Sequence, residues 1–365
     1  MSSQEQNTEA QQLFRVAYDA QQHGEAALAV TKYQDLLRMY PDMTAARANL
    51  GVVLASLGRF DEAIDQDRTA LAQFPDNASL RLNLALAYYK KGDFASAADN
   101  LKTLNETKPG NVQVTTLLGQ CYVRLGRDSE AISLLTPLEP ANLDNLDLKW
   151  ALGSALIRAG RTEEGAERVE KVAERGHSAE AYLVAAQSYL KLGLKDKARQ
   201  NFDAAMRLDP KLPGLYTLGG MLLEYSFDYE GAISSYQQAL AAKPDDFEAR
   251  LRLGAVLYEQ RHLDAAKEQV DLVLKADPAS SLGRYTLARV ERAQGHLNSA
   301  VDDFEKVAQA EPDWLPPHIE LAALYYRLNR PEDGAREKRI VDRLSAEEQQ
   351  RKTKSHIISP TLPLH

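Results

Sequence analysis

The chain has 365 residues, 44% of them hydrophobic and 26% charged, with a formal net charge of −8. That balance excludes a wholly disordered chain, and the acidic sign argues against a general nucleic-acid binder, which is normally basic. A single cysteine, Cys121, excludes an intramolecular disulfide and suits a reducing compartment.

Residues 1–9 are polar and are expected to be disordered. They hold neither a basic n-region nor an apolar h-region, so no secretory signal is expected there. No apolar run in the chain is long enough to cross a bilayer. From Ala10 a period sets in. Pro41, Pro75 and Pro109 are 34 residues apart, and so are Pro210, Pro244, Pro278 and Pro312. Gly24, Gly58, Gly92, Gly126 and Gly160 repeat at the same interval, and Gly193 follows after 33, one residue being deleted near Arg175-Gly176-His177. Units therefore begin near Ala10, Thr44, Ala78, Val112, Leu146, Ala179, Pro213, Phe247, Ser281 and Leu315, and tandem repeats occupy residues 10–344.

Each unit reads as helix A, a tight turn and helix B. All ten carry alanine or glycine at the eighth and twentieth positions, where two helices must approach closely. Glycine at the fifteenth position ends helix A in a left-handed conformation, and the proline near the end of the unit stops helix B. Between these signals apolar residues follow helical spacing, as at Leu50, Val53, Leu54 and Leu57. No unit can bury its apolar face alone, so neighbours must stack.

The middle of the array is irregular. Pro137 and Pro140 should cut helix B of the fourth unit short at about Thr136. The fifth unit ends in the shortened turn, and the seventh opens with Pro213-Gly214 and carries Gly219-Gly220. Two readings stand: a hinge between rigid halves, or ordinary drift, which stacking tolerates. At the end of the array Ile340, Val341 and Leu344 cover the last core, and residues 345–354 read as a separate polar capping helix opened by Ser345-Ala346-Glu347-Glu348. Residues 355–365 read as a flexible tail.

This pattern resembles the tetratricopeptide repeat family from about Ala10 to Leu344. Asn49-Leu50-Gly51 through Gly58-Arg59-Phe60-Asp61-Glu62-Ala63 is similar to the family motif, as is Leu253-Gly254 through Ala265-Ala266. The resemblance implies an all-α, right-handed α-solenoid superhelix of about ten helical hairpins. Departures are basic residues at the usually large fourth position (Arg47, Arg81, Lys149), and Asp67 and Lys338 in a usually apolar slot.

Phosphate loops, His-Glu-x-x-His helices and paired-cysteine metal patterns are missing. His262 and His296, 34 apart in successive turns, stand about one helix-packing distance apart, too far to share an ion. Cys121 falls among small apolar equivalents and reads as core. Acidic pairs such as Asp61-Glu62 and Glu163-Glu164 open helices B, where they complement the macrodipole. No enzyme, metal or cofactor is expected, and the cytoplasm is the expected compartment.

The resemblance further implies that helices A line a concave groove that holds a partner segment. The lysine–asparagine carboxylate clamp of some members is replaced here by Phe14, Tyr18, Ala48, Val52, Leu82 and Leu86. Asn49 and Asn83 match the first two rungs of the asparagine ladder of the O-linked sugar transferases, and either backbone binding or structural hydrogen bonding fits them. Lys90, Arg124, Arg158 and Lys191 occupy the thirteenth position of four successive units, with Tyr89 and Trp150 beside them. This is either a functional basic stripe or a solvated habit of the family. The leading expectation is a protein-binding scaffold whose groove takes an extended peptide or partner helix, with acidic side chains toward the basic rungs. Alternatives are a self-associating assembly module and a non-catalytic regulatory subunit of an enzyme complex.

Overall fold

The structure, a computed structural model, describes the backbone of residues 3–357 and the side chains of residues 8–350. Among the described residues every regular element is helical, and twenty α-helices form ten hairpins. By its internal contacts the chain divides into two compact units at Asn201/Phe202, within helix α12. The first unit contains α1 (Ser3–Gln22) with α2 (Ala26–Met39), α3 (Thr44–Ser56) with α4 (Phe60–Gln73), and α5 (Ala78–Lys91) with α6 (Phe94–Thr107). It continues through α7 (Val112–Arg124) with α8 (Asp128–Leu135), α9 (Leu146–Arg158) with α10 (Thr162–Gly176), and α11 (Ala179–Lys191) with the start of α12 (Lys195–Leu208). The second unit contains α13 (Leu215–Tyr225) with α14 (Tyr229–Ala242) and α15 (Phe247–Glu259) with α16 (Leu263–Ala276). It ends with α17 (Ser281–Gln294) and α18 (Leu297–Ala310), then α19 (Leu315–Arg327) and α20 (Pro331–Ile357). Consecutive helices pack on one another from α1 to α11 in the first unit and from α13 to α20 in the second.

Local sequence explains the boundaries. Asn77, Asn111, Asn145, Asp246 and Ser280 cap helices A by accepting from amides of the first turn. Helix α8 stops at Leu135, where Pro137 and Pro140 force a 3-10 turn over Thr136–Ala141. Helix α13 starts at Leu215 because Gly214 is left-handed, with φ of 89°. Helix α1 begins before the repeat register, at Ser3. The helix expected at 345–354 is not separate: no proline or glycine interrupts the chain between Gly334 and Ile357, and α20 runs through that segment. Residues 358–365 of the expected tail lie outside the described residues.

The fifteenth position has positive φ in all ten hairpins, and in three of them it is not glycine: Phe227, Arg261 and Asn329. Phe227 is 77% exposed and meets Tyr229 edge-on, ring centroids 6.3 Å apart. A left-handed phenylalanine costs about 1–2 kcal/mol. Chemical denaturation of Phe227→Gly is therefore expected to show a gain of about 1 kcal/mol; no gain would mean that the ring contact recovers the cost.

The core repeats the same device in both units. Ala17, Ala29, Ala63, Ala85, Ala97 and Ala131 in the first, and Ala232, Ala266, Ala288 and Ala300 in the second, are wholly buried where helices A and B cross. Across from the eighth position, the twenty-fourth supplies a large buried side chain: Tyr33, Leu101, Leu135, Val169, Tyr236, Val270 or Phe304. A Cβ on Gly119 would meet Leu135 at 2.6 Å, and one on Gly220 would meet Tyr236 at 2.4 Å, so glycine makes room for the larger partner. Asp67 occupies this slot opposite Gly51 and is 1% exposed. Lys338, by contrast, is exposed.

The basic fourth positions are explained by hydrogen bonding. Arg47, Arg81, Arg250 and Arg284 donate back to the carbonyls of Pro41, Pro75, Pro244 and Pro278. Arg47, Arg250 and Arg284 also reach helix B of their own hairpins, at Gln66, Gln269 and Asp303. His318 makes the same bridge between Pro312 and Glu337. In hairpin five Lys149 is buried near Glu139, which also pairs with Arg168. One side chain thus ties the incoming loop to both helices of the hairpin.

Candidate functional site

Helices A of the first unit present a run of apolar side chains that the core does not cover. Phe14 on α1, Leu82, Leu86 and Tyr89 on α5 and Leu117 on α7 are half-buried, while Tyr18 on α1 and Val52 on α3 are exposed. Phe14 stacks on Tyr18 at 6.2 Å and meets Tyr33 edge-on at 5.9 Å. Near the middle of the run Tyr89 packs against Phe94, centroids 5.5 Å apart, and donates its hydroxyl to Gln120 Oε1 at 3.2 Å. The Arg124 guanidinium lies over the same Phe94 ring at 4.8 Å. Burial raises the Tyr89 pKa, helped by the negative field of Asp147 and opposed by Arg124.

The four basic rungs all stand in the last turns of helices A, exposed, where they also complement the helix dipoles. They are not equivalent. Arg158 pairs with Asp128 of the preceding hairpin at 3.0 Å, and Arg124 is held over Phe94. Lys90 and Lys191 have no ion-pair partner among the described residues. The Tyr33 hydroxyl donates to Gln21 Oε1 at 2.8 Å, and Asn49, half-buried on α3, opposes the rise that burial gives the Tyr33 pKa. Asn83 is half-buried on α5, and Trp150 is half-buried on α9. Tyr89 and Arg124 are thus brought together at Phe94, whereas Arg158 serves a structural neighbour.

Phe94 and Asp128 were not among the expected site residues, because both belong to helices B. Nor was a cavity of about 410 Å3 on this face, whose walls include Leu86, Gln113, Thr116, Gln120, Asn145 and Asp147.

The second unit pairs charges along its helices A. Arg252 bonds Glu224 at 3.1 Å, Arg289 bonds Glu259 at 2.9 Å, and Arg292 pairs with Glu320. The Arg289 guanidinium also lies 4.3 Å from the Tyr258 ring, and Tyr285 packs on Trp314 at 4.8 Å. Here α15 and α17 are paired with their neighbours, while Ile319 and Tyr326 on α19 stay exposed.

Among the described residues no group of three or more histidine, cysteine or acidic side chains is placed to hold a metal ion. Cys121 is buried, and burial pushes its thiol up to about 12, far from thiolate chemistry at neutral pH. No described helix is long and apolar enough to cross a membrane.

Comparison with known proteins gives a consistent picture. No curated protein matches the chain. Among solved structures, a tetratricopeptide repeat protein from Parabacteroides merdae is 18% identical, with a TM-score of 0.54 over 68% of this chain and 98% of that one. The APC/C hetero-tetramer Cut9–Hcn1 matches at 14% identity and a TM-score of 0.57, over 92% of this chain and 87% of that one. Identities this low show the fold alone. Two family profiles, both described as tetratricopeptide repeat, match residues 14–78 and 151–213, and 89–156 and 225–290. With well over half of its residues matched in this way, the chain belongs to the tetratricopeptide repeat family.

Proposed function

We propose that the helix-A face of the first unit is a groove that binds an extended segment of a partner protein. The fold mediates protein–protein interaction in general; the groove and the ligand chemistry are specific to this reading. One contrast carries it. The first unit leaves Tyr18, Val52, Leu82, Leu86, Tyr89 and Trp150 open or half-open across successive helices A, while in the second unit charged side chains on α15 and α17 are ion-paired and exposed large apolar side chains at the same positions are confined to Ile319 and Tyr326 on α19. Large apolar side chains left uncovered on adjacent elements suit a partner's anchors. Lys90, Arg124 and Lys191 along one edge favour acidic side chains in the bound segment, with Arg158 contributing less because Asp128 already neutralises it. Asn83 is available for the segment's backbone, and Asn49 stands near the Tyr33 hydroxyl.

A random-peptide display selection on the full-length protein supplies ligands for the test. Leu86→Glu is expected to weaken the selected peptides at least tenfold with helical content unchanged. The pair Lys90→Glu and Arg124→Glu is expected to weaken them and flatten their salt dependence, since exposed charges act by screened steering. Peptides that bind all variants with wild-type affinity would place the site elsewhere.

A further inference from the structure

Resting on the reading that this face binds a segment, we infer that the cavity bounded by α5, α7 and α9 receives a cationic side chain of that segment, lysine or arginine, against the Asp147 carboxylate. The cavity, about 410 Å3, falls in the range of small-ligand sites, roughly 300–1,000 Å3. Leu86 and Leu117 give it an apolar wall, Gln113, Gln120 and Asn145 supply amides, and Asp147 is its one charged lining residue. An aliphatic stem and a cationic head fit that combination.

Asp147 stands out among its neighbours. From residue 128 to residue 147 the other carboxylates are paired: Asp128 with Arg158, Glu130 with Arg127, Glu139 with Arg168 and Asp144 with Arg175. Asp147 alone has no ion-pair partner among the described residues of that stretch. Its place in the first turn of α9 suits the helix dipole, and a dipole alone would explain one exposed acid there. The cavity is what the dipole does not explain. Thr116 also lines it, 3% exposed, and its hydroxyl has no hydrogen-bond partner among the described residues. Leaving such a group unpaired is costly, and a donor entering the cavity would offset that cost.

The chain has two tryptophans, which makes the test direct. Trp150 follows Asp147 by three residues, on the same face of α9, and Trp314 belongs to the second unit. The full chain labelled with 5-fluorotryptophan is titrated with N-acetyl-arginine methylamide and, separately, with N-acetyl-glutamate methylamide. The arginine compound is expected to shift the Trp150 fluorine resonance saturably and to leave Trp314 in place, while the glutamate compound moves neither. Asp147→Asn is expected to raise the midpoint at least fivefold, and Asp147→Glu to restore most of it. Equal responses to the two compounds, or an unchanged midpoint in Asp147→Asn, overturn the assignment. The display-selected peptides separate the two readings: peptides sensitive to Leu86→Glu but indifferent to Asp147→Asn leave the groove standing and remove the cation pocket.

Discussion

Asp67→Leu is expected to stabilise the protein at pH 8 by roughly 4 kcal/mol. Asp67 occupies a slot that seven other hairpins fill with fully buried tyrosine, phenylalanine, leucine or valine, and its Oδ1 is buried without a hydrogen-bond partner among the described residues. Desolvation raises its pKa from 3.8 to about 7. Because the folded-state pKa lies above the unfolded one, the folded chain holds this proton more tightly between those values. The contribution of Asp67 is therefore best below about pH 4, worsens as pH rises, and levels off above about pH 7. Roughly three pKa units correspond to about 4 kcal/mol. Leucine removes the charge, and Gly51 already leaves room opposite, as Gly119 does for Leu135. Urea unfolding at pH 5 and pH 8 measures the effect as a variant-minus-wild-type difference that grows with pH. Asp67→Asn should share the pH dependence of that difference. A difference that is flat with pH would mean that the carboxyl is solvated or paired in solution.

The second large effect is expected at the tightest crossing in the first unit. A Cβ on Gly165 would lie 2.5 Å from the Gly153 carbonyl oxygen and 2.8 Å from the Ile157 amide nitrogen. Both are backbone atoms, so no side-chain rotation relieves the contact and α9 must part from α10. Gly165→Ala is expected to cost about 3 kcal/mol, at the upper end of ordinary overpacking. Gly176→Ala, at the other end of α10, is the control: its nearest neighbour is 3.5 Å away, an ordinary contact, and alanine is the better helix former. Equal stabilities of the two variants would show that the eighth and twentieth positions do not face each other.

The hairpin register was legible because its signals are local. Glycine at the turn, proline after helix B and small residues at the crossing each act within one unit. What stayed hidden depends on contacts between elements. Arg47, Arg81 and Lys149 stand out in the sequence only as departures, since their acceptors are loop carbonyls and side chains of other helices. Phe94, which gathers Tyr89 and Arg124, lies on helix B. The pairing of Arg158 with Asp128 did leave a trace: polar partners 30 residues apart recur at Lys91 with Asp61, Arg289 with Glu259 and Gln294 with Asp264. That spacing joins the end of one helix A to the preceding hairpin, and it separates a committed rung from an open one. The cavity beside Asp147 had no such trace, because its walls come from three separate helices and the loop before α9.

Hydrogen–deuterium exchange of the full chain, with and without a display-selected peptide, tests the groove most directly. Bound peptide is expected to slow amide exchange in α3, α5, α7 and α9 and to leave α15, α17 and α19 unchanged. Protection confined to the second unit, or to helices α4, α6 and α8, would contradict the assignment of the binding face.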